Sequence, residues 1–262
     1  TEQKGATGRM NPSAIMEVFK QLEPLFSSST FALSEIEMMK LKLAKSTNYA
    51  DFCRNLIHHI FGPYGLLFFN PDHPEAKRLF ASEMIQEVKH QNIFQHSRNS
   101  CDRLGALGYQ PQAHIRVINL FYLADQYRVG IYSDGTNYHT KDLKYMWNES
   151  ELLDEIKKHP ESFSPNVVLR PLYQEFLFPN IVFIGGGAEI AYWLQLKSAF
   201  ISRSIAFPIL WRRVSGIIFN KAILNKIEKL KLNWDDFLLT TQRIEAKYIE
   251  QNSQLIRQIH ST

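Results

Sequence analysis

A triple glycine followed by a carboxylate is the feature of this sequence that most suggests a ligand site. Residues 181–184 form a short run rich in β-branched residues, which predicts a buried strand, and helical spacing begins at Ala188. Gly185, Gly186 and Gly187 form the turn between the two. Because ligands of open α/β sheets bind beyond the carboxyl ends of the strands, this turn is a candidate ligand cradle.

The spacing of the glycines and the charge beside them limit what the turn can bind. The third glycine of the dinucleotide fingerprint G-x-G-x-x-G would fall at position 190, which is Ile190. Glu189 lies in the first turn of the predicted helix, where its charge would repel a phosphate at that helix end. Two interpretations follow: a tight turn that needs positive φ angles, or a site where Glu189 meets ammonium or hydroxyl groups.

Basic and polar side chains near this turn could complete a site. Arg170 and Gln174 are spaced i and i+4 on a predicted helix, and Glu175 follows them. Because guanidinium groups bind carboxylates in a bidentate manner, these residues predict a carboxylate clamp, with a structural ion pair as the alternative. Arg213 follows a predicted strand and His114, two residues before Arg116, lies on another; each could line a pocket or stay solvated.

The composition argues against several classes of protein. Of 262 residues, 45% are hydrophobic and 21% charged, which is typical of a globular chain. A net charge of +4, from 30 basic and 26 acidic residues, gives no argument for nucleic acid as a partner. No apolar run approaches the roughly 20 residues that span a membrane. The two cysteines suit a cytoplasmic protein, and the histidines lack metal-ligand spacing.

Hydrophobic periodicity divides the chain into three regions. They are a helical connecting segment (residues 1–64), an α/β core with an inserted small β meander (residues 65–230, the meander at about 113–140) and a C-terminal helix (residues 231–262). Within the core, strands are predicted at residues 66–69, 181–184 and 207–211. In the helical segment, Ser34 and Glu37 have the spacing of a capping box.

The same residues resemble the BshC family, the cysteine-adding enzymes of bacillithiol biosynthesis. The matching segments are NVVLRPLYQEFLFP (166–179) and GGGAEIAYW (185–193), with further agreement at FGPYGLL (61–67), GYQPQAH (108–114), INLFY (118–122) and PILWRRVS (208–215). Their order and spacing hold over essentially the whole chain. One departure is Gly187, where the family pattern favours proline.

The resemblance implies a Rossmann-like core with an incomplete parallel sheet. Family members are longer, beginning with strands whose motifs do not occur here and ending in a coiled coil that forms a homodimer. By resemblance, the chain is a fragment, inactive alone, of a cytoplasmic ligase that adds cysteine to the amine of glucosaminyl-malate through an amide bond. ATP or another nucleotide would activate the carboxylate, and no metal is implied.

The resemblance adds Tyr192 to the predicted substrate-binding residues and leaves the catalytic residues unassigned. Two alternatives stay open: a non-catalytic helical binding or assembly protein, and a nucleotidyltransferase-like enzyme on the same core. Convergence of Arg170, Gln174 and Glu189, with His114, around the glycine turn would favour the ligase.

Overall fold

The computed structural model describes residues 6–113, 115–124 and 127–252. The chain divides into two compact units, Thr1–Arg213 and Val214–Thr262. The predicted site residues all belong to the first unit, except that His114 lies outside the described residues.

The first unit begins with three helices that bury a small core of their own. They are α1 (Ala14–Leu25), α2 (Thr30–Ala44) and α3 (Tyr49–Phe61). The side chains buried among them are Phe19, Ile36, Leu43 and Phe52. The start of α2 differs from the prediction, because Ser29 accepts the backbone N–H of Ala32 and caps the helix ahead of Ser34.

The apolar run at residues 66–69 is not the buried strand that the sequence predicts. It has no regular structure, and the Leu67 side chain is 91% exposed. Gly65, with φ 81°, ends a short 3-10 turn just before it. The helices that follow are α4 (Pro74–Leu79), α5 (Ala81–His90) and α6 (Asn92–Ala106).

A five-stranded antiparallel sheet lies at the centre of the first unit, in the order β4–β3–β2–β1–β5. Its strands are β1 (Leu120–Ala124), β2 (Tyr127–Ser133), β3 (Tyr138–Thr140), β4 (Met146–Trp147) and β5 (Phe163–Pro165). The predicted meander corresponds to β1–β3. It is part of a larger sheet rather than a small isolated unit, because β4 pairs with β3 and β5 pairs with β1.

A separate parallel pair carries the glycine turn. Strands β6 (Val182–Gly185) and β7 (Ile209–Arg212) are joined through α9 (Gly187–Leu194) and α10 (Lys197–Ser202). This βαβ connection is the unit from which Rossmann-like sheets are built. Both strands were predicted, but the predicted burial of residues 181–184 is wrong, because Ile184 is 65% exposed. Trp211 of β7 is exposed to a similar extent, 63%. Within the described residues the pair has no third strand to extend it.

The main core joins the two sheets to the helices that pack on them. Helices α7 (Glu149–Lys158) and α8 (Arg170–Leu177) complete the first unit. The largest core side chains without exposed surface are Phe80, Met84, Ile93, Leu120, Phe163, Trp193 and Phe200. Since Trp193 belongs to α9 and Leu120 to β1, this core positions the glycine turn and the antiparallel sheet together.

The second unit contains two helices and a 3-10 turn. Helix α11 spans Lys221–Lys229, and α12 (Thr241–Asn252) follows the turn at Trp234–Leu238. The rest of the predicted C-terminal helix lies outside the described residues. In the part of the chain that the structure describes, no helix is long and apolar enough to cross a membrane.

Candidate functional site

The glycine turn is held by close packing rather than by left-handed backbone. The glycines with positive φ are Gly65, Gly108 and Gly135, so the tight-turn interpretation of the triple glycine is wrong. A Cβ on Gly185 would lie 2.7 Å from a ring carbon of Phe183, and one on Gly186 would lie 2.9 Å from the guanidinium of Arg213. The stronger constraint is at Gly185, because the Phe183 ring is stacked on the buried Trp193, whereas at Gly186 the end of the exposed Arg213 side chain can move aside.

Gly187 is different, because a Cβ there would have no heavy atom within 4 Å. It is the first residue of α9, a position where proline is also favourable in helices. The departure from the family pattern is thus sterically neutral in this turn.

We expect Gly187→Ala to raise the free energy of unfolding by about 0.5 kcal/mol, because alanine loses less backbone entropy than glycine on entering a helix. Gly185→Ala is the matched control, and it should be destabilising because its Cβ would lie 2.7 Å from the ring of Phe183, which is stacked on the buried Trp193. Urea unfolding of the two variants checks this. Equal effects of the two substitutions would contradict the assignment of open space to Gly187 alone.

The Glu189 carboxylate turns back onto the glycine turn. Its Oε2 accepts the backbone N–H of Gly186 at 2.6 Å and lies 3.5 Å from Nη1 of Arg213. The first contact is the backbone-directed half of a capping box. Both contacts use Oε2, and within the described residues Oε1 accepts no hydrogen bond. Glu189 is half exposed, so one carboxylate oxygen is available to a ligand.

Arg170 and Gln174 are brought together as predicted. Arg170 is the first residue of α8, and its Nη1 donates to Oε1 of Gln174 at 3.1 Å. Glu175, the next residue, is buried. Its carboxylate accepts the backbone N–H and the side-chain amide of Asn180, and the Gln174 amide as well. Glu175 therefore closes the turn after α8, and its oxygens are already occupied.

Tyr192 connects the glycine turn to Arg170. It lies on α9 one turn beyond Glu189, and its hydroxyl donates to the carbonyl of Val167. Burial raises the pKa of Tyr192 to about 12, although the charge of Arg170 and a hydrogen bond with it act in the opposite direction. The phenol is therefore protonated at neutral pH and acts as a hydrogen-bond donor.

A cavity of about 580 Å³ lies beside Arg170 and Tyr192. Two further arginines line it, Arg116 and Arg128. The complete lining is Gln112, Ala113, Arg116, Phe121, Arg128, Pro165, Asn166, Val167, Arg170 and Tyr192. Arg128 was not among the predicted site residues. The predicted β meander could have indicated it, because Arg128 pairs with Leu123 and is therefore diagonal to Phe121 across the two strands.

A second cavity, of about 430 Å³, shares Arg128, Pro165 and Arg170 with the first. Its floor contains the buried Lys77, which donates to Asp72 and to the carbonyl of Glu161. Burial lowers the pKa of Lys77, against the raising effect of Asp72. These charges satisfy one another, so they hold the wall of this cavity in place.

The predicted site residues thus form two groups. Gly185, Gly186, Gly187, Glu189 and Arg213 surround the turn, and Arg170, Gln174 and Tyr192 lie at or beside the arginine-lined cavity. Helix α9 joins the two groups. Among the described residues, no cluster of three or more His, Cys, Asp and Glu side chains could hold a metal ion.

A βαβ unit whose turn is lined by charged side chains, next to a basic cavity, defines an α/β ligand-binding domain. The chain belongs to the BshC family: residues 1–214 match the model described as the N-terminal Rossmann-like domain of bacillithiol biosynthesis BshC. The family resemblance and the Rossmann-like, mixed α/β fold class are thereby confirmed.

Curated relatives carry the name "Putative cysteine ligase BshC". The relative from Christiangramia forsetii is 34% identical over 256 residues, which is 96% of this chain and 47% of the relative. The one from Flavobacterium johnsoniae is 35% identical over 241 residues, 92% and 45% respectively. A more distant relative from Bacillus cereus is 29% identical over 266 residues, 95% and 48%. The chain spans about half the length of the curated relatives it matches.

Proposed function

We propose that this chain carries substrate-binding residues of a ligase that joins the carboxyl group of cysteine to the amine of glucosaminyl-malate. The product is the amide of bacillithiol biosynthesis, the pathway named in the family description. The observation that carries the proposal is the cavity where Arg170 lies beside Arg116 and Arg128, because the malate half of that substrate carries two carboxylates.

The bond-forming step needs an activated cysteine carboxyl group. The amine nitrogen attacks the carbonyl carbon, the activating group leaves with the electron pair of its C–O bond, and the nitrogen gives up a proton. ATP or another nucleotide would supply that activation. The residues proposed here act by holding the amine against the acyl carbon, which converts a bimolecular reaction into a positioned one. None of them is assigned as a general base.

Glu189 is the proposed contact for the amine. Its Oε1 is available, and the Arg213 guanidinium 3.5 Å from Oε2 holds the carboxylate in place. We expect Glu189→Gln to weaken binding of glucosaminyl-malate by about tenfold, the effect of one charge-assisted hydrogen bond. Glu149→Gln is the control, because Glu149 is also an exposed first-turn carboxylate, on α7. Calorimetric affinities that are equal for the two variants would rule out this role.

The chain is further proposed to be an incomplete ligase that is inactive alone. The supporting observation is the parallel pair, where Val182, Ile184, Ile209 and Trp211 expose apolar surface. Parallel strands are normally covered on both faces, and two strands are fewer than an independently stable sheet needs. A longer protein would supply the missing cover. The homodimer and the cytoplasmic location stay predictions.

Mass spectrometry tests the function directly. The protein that contains this chain is incubated with cysteine, glucosaminyl-malate and ATP or another nucleoside triphosphate, and the amide product is measured. We expect product from the longer protein and none from the isolated chain. Absence of product with every nucleotide would overturn the proposal, and nucleotide transfer to the sugar without amide formation would favour the nucleotidyltransferase alternative.

A further inference from the structure

Three guanidinium groups share one open cavity without a carboxylate to neutralise them. Arg116, Arg128 and Arg170 all line the cavity of about 580 Å³. In the described ranges, no carboxylate oxygen lies within 4.0 Å of a guanidinium nitrogen of these three arginines. Ion pairs hold five other arginines of the first unit, Arg9, Arg54, Arg78, Arg203 and Arg213. Arg98, Arg103 and Arg212 have no ion pair among the described residues either, but they do not line this cavity, so what distinguishes it is three unpaired guanidinium groups around one space.

Two of the three arginines are held on the same aromatic ring. The Cζ atom of Arg128 lies 3.7 Å from the ring centroid of Phe121, and that of Arg116 lies 5.2 Å from the same centroid. Arg116 also lies 5.6 Å from the ring of Tyr132. Cation–π contacts of this kind fix the guanidinium planes while leaving their edges free to donate hydrogen bonds.

The like charges oppose one another in the absence of an anion. Burial and the neighbouring charge of Arg116 both lower the pKa of Arg128. Arg170 lines the same cavity, and its Nη1 donates to Gln174. A guanidinium carries five N–H donors, so each of the three has donors left for a ligand. Bringing three cations to one open cavity costs free energy that a bound anion would offset.

We propose that Arg116, Arg128 and Arg170 form a binding site for a small dicarboxylate. The cavity is wide enough for more than one anionic group, and planar guanidinium edges match planar carboxylates. The glycine turn and the N-terminus of α9 do not line it. The identity of the natural ligand, a malate group on the acceptor substrate, rests on the proposed function; the site itself does not.

Calorimetric titration of the chain with L-malate, inorganic phosphate and acetate tests the site. We expect L-malate to bind more tightly than acetate or phosphate. Arg116→Gln, Arg128→Gln and Arg170→Gln should each weaken malate binding by at least about tenfold, as loss of a charge-assisted contact predicts. Arg98→Gln is the control, because it removes the same charge from an exposed arginine of α6. Arg98 does not line the cavity.

Phe121 provides an independent check, since it carries no charge and contacts both Arg116 and Arg128. Phe121→Tyr keeps the aromatic face and should retain malate affinity, whereas Phe121→Leu leaves the net charge unchanged and should weaken binding several-fold by releasing two guanidinium groups. A circular dichroism spectrum matching that of the wild type shows that each variant is folded. Equal malate affinity for the two Phe121 variants would contradict the positioning role.

The outcomes separate this site from the proposed function. No malate binding, or binding that the three cavity variants leave unchanged, overturns the site. Tighter binding of phosphate than of malate overturns the assignment to dicarboxylates. Malate binding that the cavity variants abolish supports the site even where the longer protein makes no amide, and in that case only the ligase proposal fails.

Discussion

Trp193→Ala is expected to lower the free energy of unfolding of this chain by about 3–5 kcal/mol, the usual cost of removing a large aromatic side chain from a core. Trp193 has no exposed surface. It stacks on Phe183 of β6 with ring centroids 4.1 Å apart, and it also contacts Phe200 and Phe207. Its removal would leave a cavity between α9 and the parallel pair, so the glycine turn would lose the packing that positions it.

Trp211→Ala is the matched control for this experiment. Trp211 lies on β7 of the same parallel pair, but most of its side chain is exposed. In the isolated chain we expect its removal to change the free energy of unfolding by less than about 0.5 kcal/mol, as for other surface substitutions. Chemical denaturation measures both variants. Equal losses at Trp193 and Trp211 would contradict the packing described here.

The same control also tests whether a longer protein covers the parallel pair. If further strands or helices pack there, Trp211→Ala should be destabilising in the longer protein and neutral in the isolated chain. A neutral effect in both would contradict the proposal that the chain is an incomplete ligase. Trp193→Ala serves as the reference, since its destabilisation should appear in both proteins.

The strands of the parallel pair could be predicted because their sequences carry local signals. Residues 181–184 are rich in β-branched residues and lie between Pro179 and the glycines, which limits them to a short extended segment. The run at residues 66–69 is equally apolar, yet it forms no strand in the described structure. Strand formation depends on a partner as well as on composition, and pairing is not visible in a single short segment.

Part of the candidate site could be predicted because its residues are close in sequence. Arg170 and Gln174 were found because helical spacing brings i and i+4 together. The same reasoning placed Glu175 at the ligand, but Asn180 folds back and occupies its carboxylate. Arg128 reaches the cavity through the register of the β1–β2 hairpin, which depends on the turn between the strands.

A buried glutamate in α5 should make the stability of the chain depend on pH. Glu87 has no exposed surface, and burial raises its pKa from 4.5 to about 7. The side-chain amide of Asn119 donates to Glu87 at 2.8 Å, and Arg203 lies 3.3 Å away, but these contacts lower the pKa less than burial raises it. The folded chain therefore keeps this proton to a higher pH than the unfolded chain does.

The direction of the effect follows from where the two states release the proton. Below pH 4.5 both states hold it, so the stabilising contribution is fully present. Between pH 4.5 and about 7 the unfolded state has lost the proton and the folded state has not, so raising the pH destabilises the fold. From the size of the shift, the contribution lost across this window is about 3 kcal/mol.

Glu87→Gln should remove this part of the pH dependence, because glutamine does not titrate. We expect the stability of the wild type relative to the variant to fall by about 3 kcal/mol between about pH 4.5 and about pH 8, as measured by urea unfolding at each pH. Glu83→Gln is the control, since Glu83 also lies on α5 and its carboxylate is 3.4 Å from Arg203. This substitution leaves Glu87 in place. The Glu83 variant should retain the loss that Glu87 causes. If the Glu87 variant retained it too, another group would be responsible for the titration, and Glu87 would be charged throughout this range as a partner of Arg203.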